Sequence, residues 1–255
     1  MEVSVDAARR PNFHLFILSQ QLVHSMTNEA KNTLLSQFEL FDSLTEAEKL
    51  QLTEAMEFRK RPRYSLIYQP GETSEHIYLL SKGAIKISTH NTEGKEVIKQ
   101  LIHPEAIFGE LALVGENTRN ETAQSLKEEV HYYTIRVADF QRILAQNVTL
   151  SQKLLQLFGQ RMMAAENKLE NLIFKDARSR IVSFLHEVVT KRGRRVGYEM
   201  LLKHSLTHQD IANITCTSRQ TVTLVLNELR KENLIYFNRG RILVRDMDVL
   251  QANAA

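Results

Sequence analysis

The 255-residue chain contains a single cysteine, Cys216, which excludes a disulfide framework, a cysteine-only zinc site and an iron–sulfur cluster held by its own thiolates. Four prolines and nine glycines are too few for a low-complexity chain. Near the N-terminus the longest apolar run is Leu15 to Leu18 behind Phe13, far short of the about 20 residues that a helical membrane span requires. Motifs of common enzymes are also missing: no zinc-protease helix, no Gly-rich phosphate loop, no nucleophile elbow. These absences describe a soluble, cytoplasmic chain with no membrane partner, no metal site and no enzymatic role.

What is present is an ordinary globular composition, 43% hydrophobic and 25% charged, in a chain long enough for two domains. The net charge of +3 conceals an asymmetry. Residues 174–255 carry 14 Lys and Arg against 8 Asp and Glu, whereas residues 1–173 carry 19 against 22. A basic C-terminal third on a mildly acidic body points to an anionic partner for that third, nucleic acid foremost.

Residues 1–32 have no clear pattern, and Met26 is an alternative start. Leu34, Leu35, Phe38, Leu40, Phe41, Leu44, Leu50, Leu52 and Met56 recur at helical spacings and predict helix over Asn32 to Glu57, with Ser43 or Thr45 as an N-cap for its second half. From Phe58 to Arg136 the texture changes to short strands between turns. The clearest are Ser65–Tyr68, Ile77–Leu80, Ala84–Ser88, Val97–Ile102 and Val130–Ile135, separated by Pro70-Gly71, Lys82-Gly83 and Glu93-Gly94. Seven or eight strands at this spacing predict a sandwich or barrel-like roll.

The helical period returns at Ala138 and persists to Phe174. Leu155, Phe158, Met162, Ala165, Leu169 and Leu172 follow one another at 3, 4, 3, 4, 3, the seam along which two helices pack. Leu154 and Ile173, just off this stripe, are expected to face the chain's own roll while the seam faces a second copy.

The strongest local pattern runs from Leu206 to Leu229. Thr207 with Asp210, then Thr217 with Gln220, mark two helix starts ten residues apart. Ala212 permits close approach, and Ile211, Val222, Val225 and Leu229 supply buried faces. A short helix, a tight turn and a second helix form a helix-turn-helix, whose second helix enters the major groove by its N-terminal residues. Arg219 and Gln220 stand there, suited to bidentate contacts with guanine and adenine, with Thr217, Ser218, Thr223 and His208 within reach of phosphates or base edges. Leu234 to Val244 reads as a hairpin whose tip carries Arg239 and Arg241, a wing against the DNA backbone. The basic loop Lys191–Arg195 is a further candidate for contact with DNA backbone or polymerase, or simply a solvated loop.

A roll, a long helix and a winged helix-turn-helix together resemble the CRP/FNR family of bacterial transcription regulators over about residues 33–250. Phe108-Gly-Glu-Leu-Ala-Leu113 followed by Arg119 is similar to the family's phosphate-binding cassette, Phe174 to Ile181 to its hinge, and Thr217 to Val222 to its recognition helix. The resemblance implies an α+β fold: a double-stranded, jelly-roll-like β-roll, a long central dimerisation helix and a C-terminal winged helix-turn-helix. The corresponding segments are an N-terminal extension over 1–32, a cyclic-nucleotide-binding-like sensor over 33–138, the dimerisation helix over 139–174 and the DNA-binding domain over 175–255. It also implies a homodimer on palindromic DNA and contact with RNA polymerase.

The same resemblance gives Gly109, Glu110, Leu111, Arg119 and Asn120 to an effector, with Glu110 on a ribose hydroxyl and Arg119 on a cyclic phosphate. Asn120 and Glu121 depart from the small residue and Ala usual after the Arg. Ala165 and Glu166 stand where cAMP-binding members place Thr and Ser on the adenine. The expectation is a sensor that does not take cAMP in the usual way. A cyclic nucleotide, another small anion, no effector, and a Glu110–Arg119 pair bracing an empty roll all stay open. Haem would need an axial ligand, and His14, His24, His76, His90, His103 and His131 form no recognisable pattern for one. The rival class is a cyclic-nucleotide-responsive module acting on a protein partner, which would have no use for Arg219 and Gln220 at a basic helix start.

Overall fold

The computed structural model describes residues 28–253. The readings of the run Phe13–Leu18, of His14 and His24, of Met26 and of most of the 1–32 extension lie outside them.

The first helical stretch is three pieces, not one: α1 (Asn28–Leu35), a 3-10 turn (Glu39–Phe41) and α2 (Glu46–Ala55). The break follows from Thr45, whose hydroxyl accepts from the Glu48 backbone N–H while the Glu48 carboxylate accepts from the Thr45 N–H at 2.8 Å. This reciprocal cap makes Thr45, one of the two expected candidates, the start of the second half as a separate helix.

Eight strands follow in two antiparallel four-stranded sheets. One has the order β1-β8-β3-β6, built from β1 (Glu57–Arg61), β8 (Val130–Arg136), β3 (His76–Lys82) and β6 (Ala106–Phe108). The other has the order β2-β7-β4-β5, built from β2 (Leu66–Tyr68), β7 (Thr122–Ser125), β4 (Ile85–His90) and β5 (Glu96–Ile102). Between the sheets lie Leu80, Ile85, Ile87, Ile102 and a group of aromatic rings; a second core joins the β3–β8 sheet to the flanking helices.

The predicted helix over 138–174 is interrupted. Asn147 ends α3 (Val137–Gln146) and begins α4 (Val148–Phe174), its Oδ1 accepting from the Leu150 N–H at 2.8 Å and its Nδ2 donating to Glu48 at 3.0 Å. Phe140 and Ile143 of α3 are buried in the roll's core. The long exposed helix therefore starts at Val148, later than the 139 boundary.

The C-terminal part comprises α5 (Ala177–Arg192), β9 (Arg194–Val196), β10 (Glu199–Lys203), α6 (His208–Thr215), α7 (Arg219–Lys231), β11 (Ile235–Asn238), β12 (Arg241–Val244) and α8 (Met247–Ala252). Its sheet runs β11-β12-β10-β9. Its core includes Ile181, Leu185, Val222, Val225 and Leu229, and Leu126 of the roll joins the same cluster. The contact with the roll is fastened by polar bonds as well. Asn213 of α6 donates to the Glu96 carboxylate at 2.7 Å, and Arg192 donates to His103 Nε2 at 2.7 Å.

Candidate nucleic-acid interface and sensor pocket

The helix-turn-helix is set by two caps and a brace. Thr207 and Asp210 form the predicted reciprocal cap of α6, the carboxylate accepting from the Thr207 N–H at 2.7 Å. In the turn Cys216 takes a left-handed conformation (φ +52°), the position where the absence of a Cβ would be favourable. The cap of α7 is Ser218, not Thr217: Ser218 Oγ accepts from the Thr221 N–H at 3.0 Å, and the Thr217 hydroxyl bonds to that of Thr215 at 3.0 Å. The second predicted box fails because Ser218, one residue on, has the extended backbone that a cap requires.

Arg219 and Gln220 thereby open α7 and are exposed, while Val222, Val225, Leu226 and Leu229 are buried on the opposite side. Thr223 and His208 hold each other, with Thr223 Oγ1 2.9 Å from His208 Nδ1 and also donating to the Arg219 carbonyl at 2.9 Å. Burial, and then the charge of Arg219, push His208 below its ordinary range. Arg239 and Arg241 are exposed at the wing tip, and Gly240 in the turn has a φ of +76°. Among the described residues no carboxylate lies within ion-pair distance of Arg219, Arg239 or Arg241. Of the basic loop, Lys191 pairs with Glu187 at 2.6 Å and Arg192 holds His103.

Nothing in the sequence pattern marks the part played by Arg180, which lies within the stretch from Phe174 to Ile181. Its guanidinium donates to the carbonyls of Thr215 (2.9 Å), Cys216 (3.2 Å) and Lys175 (2.7 Å), tying the turn to the end of the central helix.

In the roll, Gly109 has a φ of +71°, and a Cβ there would fall 2.8 Å from the Tyr78 ring, so the chain needs glycine before the 3-10 turn Glu110–Val114. Glu110 and Arg119 are 5% and 2% exposed and do not pair with each other. Arg119 donates to the Gly109 carbonyl at 3.0 Å, to Glu116 at 3.2 Å and to the His76 carbonyl, and its guanidinium lies 4.5 Å from the Tyr68 ring centroid. Glu110 is ion-paired with Arg161 of α4, which also donates to the Ile107 carbonyl at 2.6 Å. Burial pushes Arg161 down to about 10, so it stays charged at neutral pH. Tyr78 stacks on Phe108 at 4.8 Å within the roll.

Both groups that the resemblance gave to an effector are therefore engaged by other side chains. Arg119 Nε is buried without a partner, as is the hydroxyl of Tyr68, and a cyclic phosphate on the rest of that guanidinium would have to displace the Glu116 carboxylate or be repelled by it. The Asn120 N–H bonds to Glu116 at 3.4 Å, Glu121 pairs with Lys99 at 3.3 Å, and Leu111, Ala165 and Glu166 are exposed. In this structure Arg161 and Glu116 occupy the charged groups of Glu110 and Arg119.

Along α4, Leu155, Met162 and Leu169 are 71%, 63% and 58% exposed, and Ala165 and Leu172 share the stripe. Phe158 departs from the expected seam: it is half-buried against the roll's own core, because the turn of α4 it occupies lies on the roll. Leu154 is buried as expected; Ile173, expected to face the roll as well, is 64% exposed, five residues beyond Lys168, which still reaches the Ile98 carbonyl of the roll.

Residues 58–147 match the family described as "Cyclic nucleotide-binding domain", and residues 179–252 that described as "Crp-like helix-turn-helix domain". The chain is 31% identical over 183 residues to the global nitrogen regulator of Synechococcus elongatus, spanning 71% of this chain and 82% of that protein. It is 24% identical over 221 residues to the CRP-like cAMP-activated global transcriptional regulator of Mycobacterium tuberculosis, spanning 87% and 98%. Among solved structures, FixK2 from Bradyrhizobium japonicum superposes with a TM-score of 0.70 at 20% identity, covering 78% of this chain and 96% of that one.

Proposed function

The chain belongs to the CRP/FNR family of transcription regulators, and from that premise we propose that it binds palindromic DNA as a homodimer through Arg219, Gln220 and the wing arginines, with a sensor roll that does not take cAMP in the usual way. The observation that carries this reading is the start of α7: a capped helix presenting an exposed Arg and Gln, the Arg unpaired with any carboxylate among the described residues, together with two exposed wing arginines. Packing has no use for these groups there, whereas the major groove does. The apolar stripe on α4 supports the dimer. Two copies joined along it would set their recognition helices apart, as a palindrome requires at about 34 Å between successive major grooves.

The assignment of 33–138 to sensing, 139–174 to dimerisation and 175–255 to DNA binding belongs to the same proposal, the structural start of the long helix at Val148 refining it. Contact with RNA polymerase belongs to it as well. For the sensor, the internal pairs Glu110–Arg161 and Arg119–Glu116 stand where ligand contacts would be. A signal would act by favouring one arrangement of roll, helix and DNA domain over another. Selection of bound fragments from a random DNA pool, with and without cAMP, tests both halves. The proposal expects a palindrome in both arms. Enrichment only with cAMP would contradict the sensor reading, and binding without sequence preference would favour a module acting on a protein partner.

A further inference from the structure

Helix α7 carries one feature that neither packing nor hydrogen bonding to DNA accounts for. Its apolar residues Val222, Val225, Leu226 and Leu229 are buried, and Leu224 alone is 59% exposed. It shares a face with Gln220, four residues earlier, and adjoins Thr223, so it lies on the side that presents Arg219 and Gln220 outward. An isolated exposed leucine elsewhere would call for no explanation. Here it sits on the one surface that the proposed function gives to the DNA bases.

We infer that Leu224 is a specificity-determining residue that reads the 5-methyl group of a thymine; the inference rests on the DNA-binding reading above. Four helical residues advance the contact by about 6 Å along the axis. That is roughly two base steps at about 3.4 Å each, so Gln220 and Leu224 address neighbouring but separate positions. In the major groove the thymine methyl is the apolar feature among donors and acceptors. Leucine against it removes apolar surface from water. Against guanine or cytosine the same side chain would desolvate polar edge atoms without bonding them, so the contact selects as well as attracts.

The test uses the full chain and the site recovered from the random pool, with each thymine replaced singly by deoxyuridine, which deletes only the methyl. Binding of the wild type is expected to weaken about three- to fivefold at one thymine of each half-site, the value of a buried methyl. Leu224→Ala, a substitution at an exposed position between two good helix formers, should bind thymine and uracil equally there and keep wild-type affinity for random DNA. If no thymine is sensitive, or if Leu224→Ala keeps the full sensitivity, the assignment is overturned while the regulator reading stands. If the pool yields no preferred sequence, the DNA-binding reading itself falls and this inference with it.

Discussion

Replacing Arg161 with Met would test how the roll holds itself together. The variant leaves the Glu110 carboxylate, whose side chain is 6% exposed, without its cation, and takes a donor from the Ile107 carbonyl. Breaking a buried ion pair from one side costs about 3–5 kcal/mol. Because the Arg161 side chain is 21% exposed and water can partly replace it, the lower end applies. With about 1 kcal/mol more for the lost carbonyl bond, the expected loss is about 4 kcal/mol. At about 2–4 °C per kcal/mol for a domain of this class, the melting point should fall by about 8–16 °C.

The readout is the near-UV circular dichroism of the tyrosines, since the chain has no tryptophan and Tyr68, Tyr78, Tyr132 and Tyr133 are clustered in the roll. Adding Glu110→Gln to the same chain should recover much of the loss, because two uncharged partners need no counter-charge. A single variant melting within about 2 °C of the wild type, a loss of about 1 kcal/mol at most, would refute the buried pair as a structural brace.

Two further outcomes follow from the geometry. Met162→Glu together with Leu169→Glu puts charge into the exposed α4 seam and should shift the sedimenting species to the monomer mass of 29.4 kDa and abolish tight binding to a palindrome; a wild type that is already monomeric at binding concentrations would contradict the seam. His103 is pushed down to about 4 by burial and then by Arg192, so between about pH 6.5 and 4 the unfolded chain binds the additional proton. Its contribution is therefore intact above about pH 6.5 and is lost as the pH falls towards 4, and His103→Gln should flatten that part of the urea-midpoint profile. An unchanged slope would mean that His103 is not held neutral.

Much of the architecture was legible because it depends on local chemistry. The Thr207–Asp210 cap, the Gly-marked turns of the roll and the arginine-tipped hairpin each announce themselves within a few residues. Strand β1 did not. Glu57-Phe-Arg-Lys-Arg61 shows no apolar alternation, and it is a strand because the interior strand β8 offers it an edge to pair with. The break at Asn147 depends on Glu48, about a hundred residues away in sequence, which no periodicity can register.

The site divides in the same way. Arg219 and Gln220 are conspicuous because a helix start with those residues has few structural uses. Arg161 was hidden between seam positions Phe158 and Met162, and only the fold brings it to Glu110. Glu116, three residues before Arg119, holds its guanidinium where the sequence pointed to Glu110, a pairing that only the fold decides. The Thr217 hydroxyl, three residues before Gln220, fits the motif in sequence, yet Ser218 has the backbone for the cap.

The measurement that bears most directly on the central claim compares wild type and Arg219→Ala on the selected site and on scrambled DNA at the same salt. The wild type is expected to prefer its site by at least about a thousandfold, and Arg219→Ala to weaken binding to that site by about 1–3 kcal/mol, leaving scrambled DNA nearly unaffected. An equal loss on both sequences would make Arg219 a phosphate contact and contradict the claim that the start of α7 reads the bases.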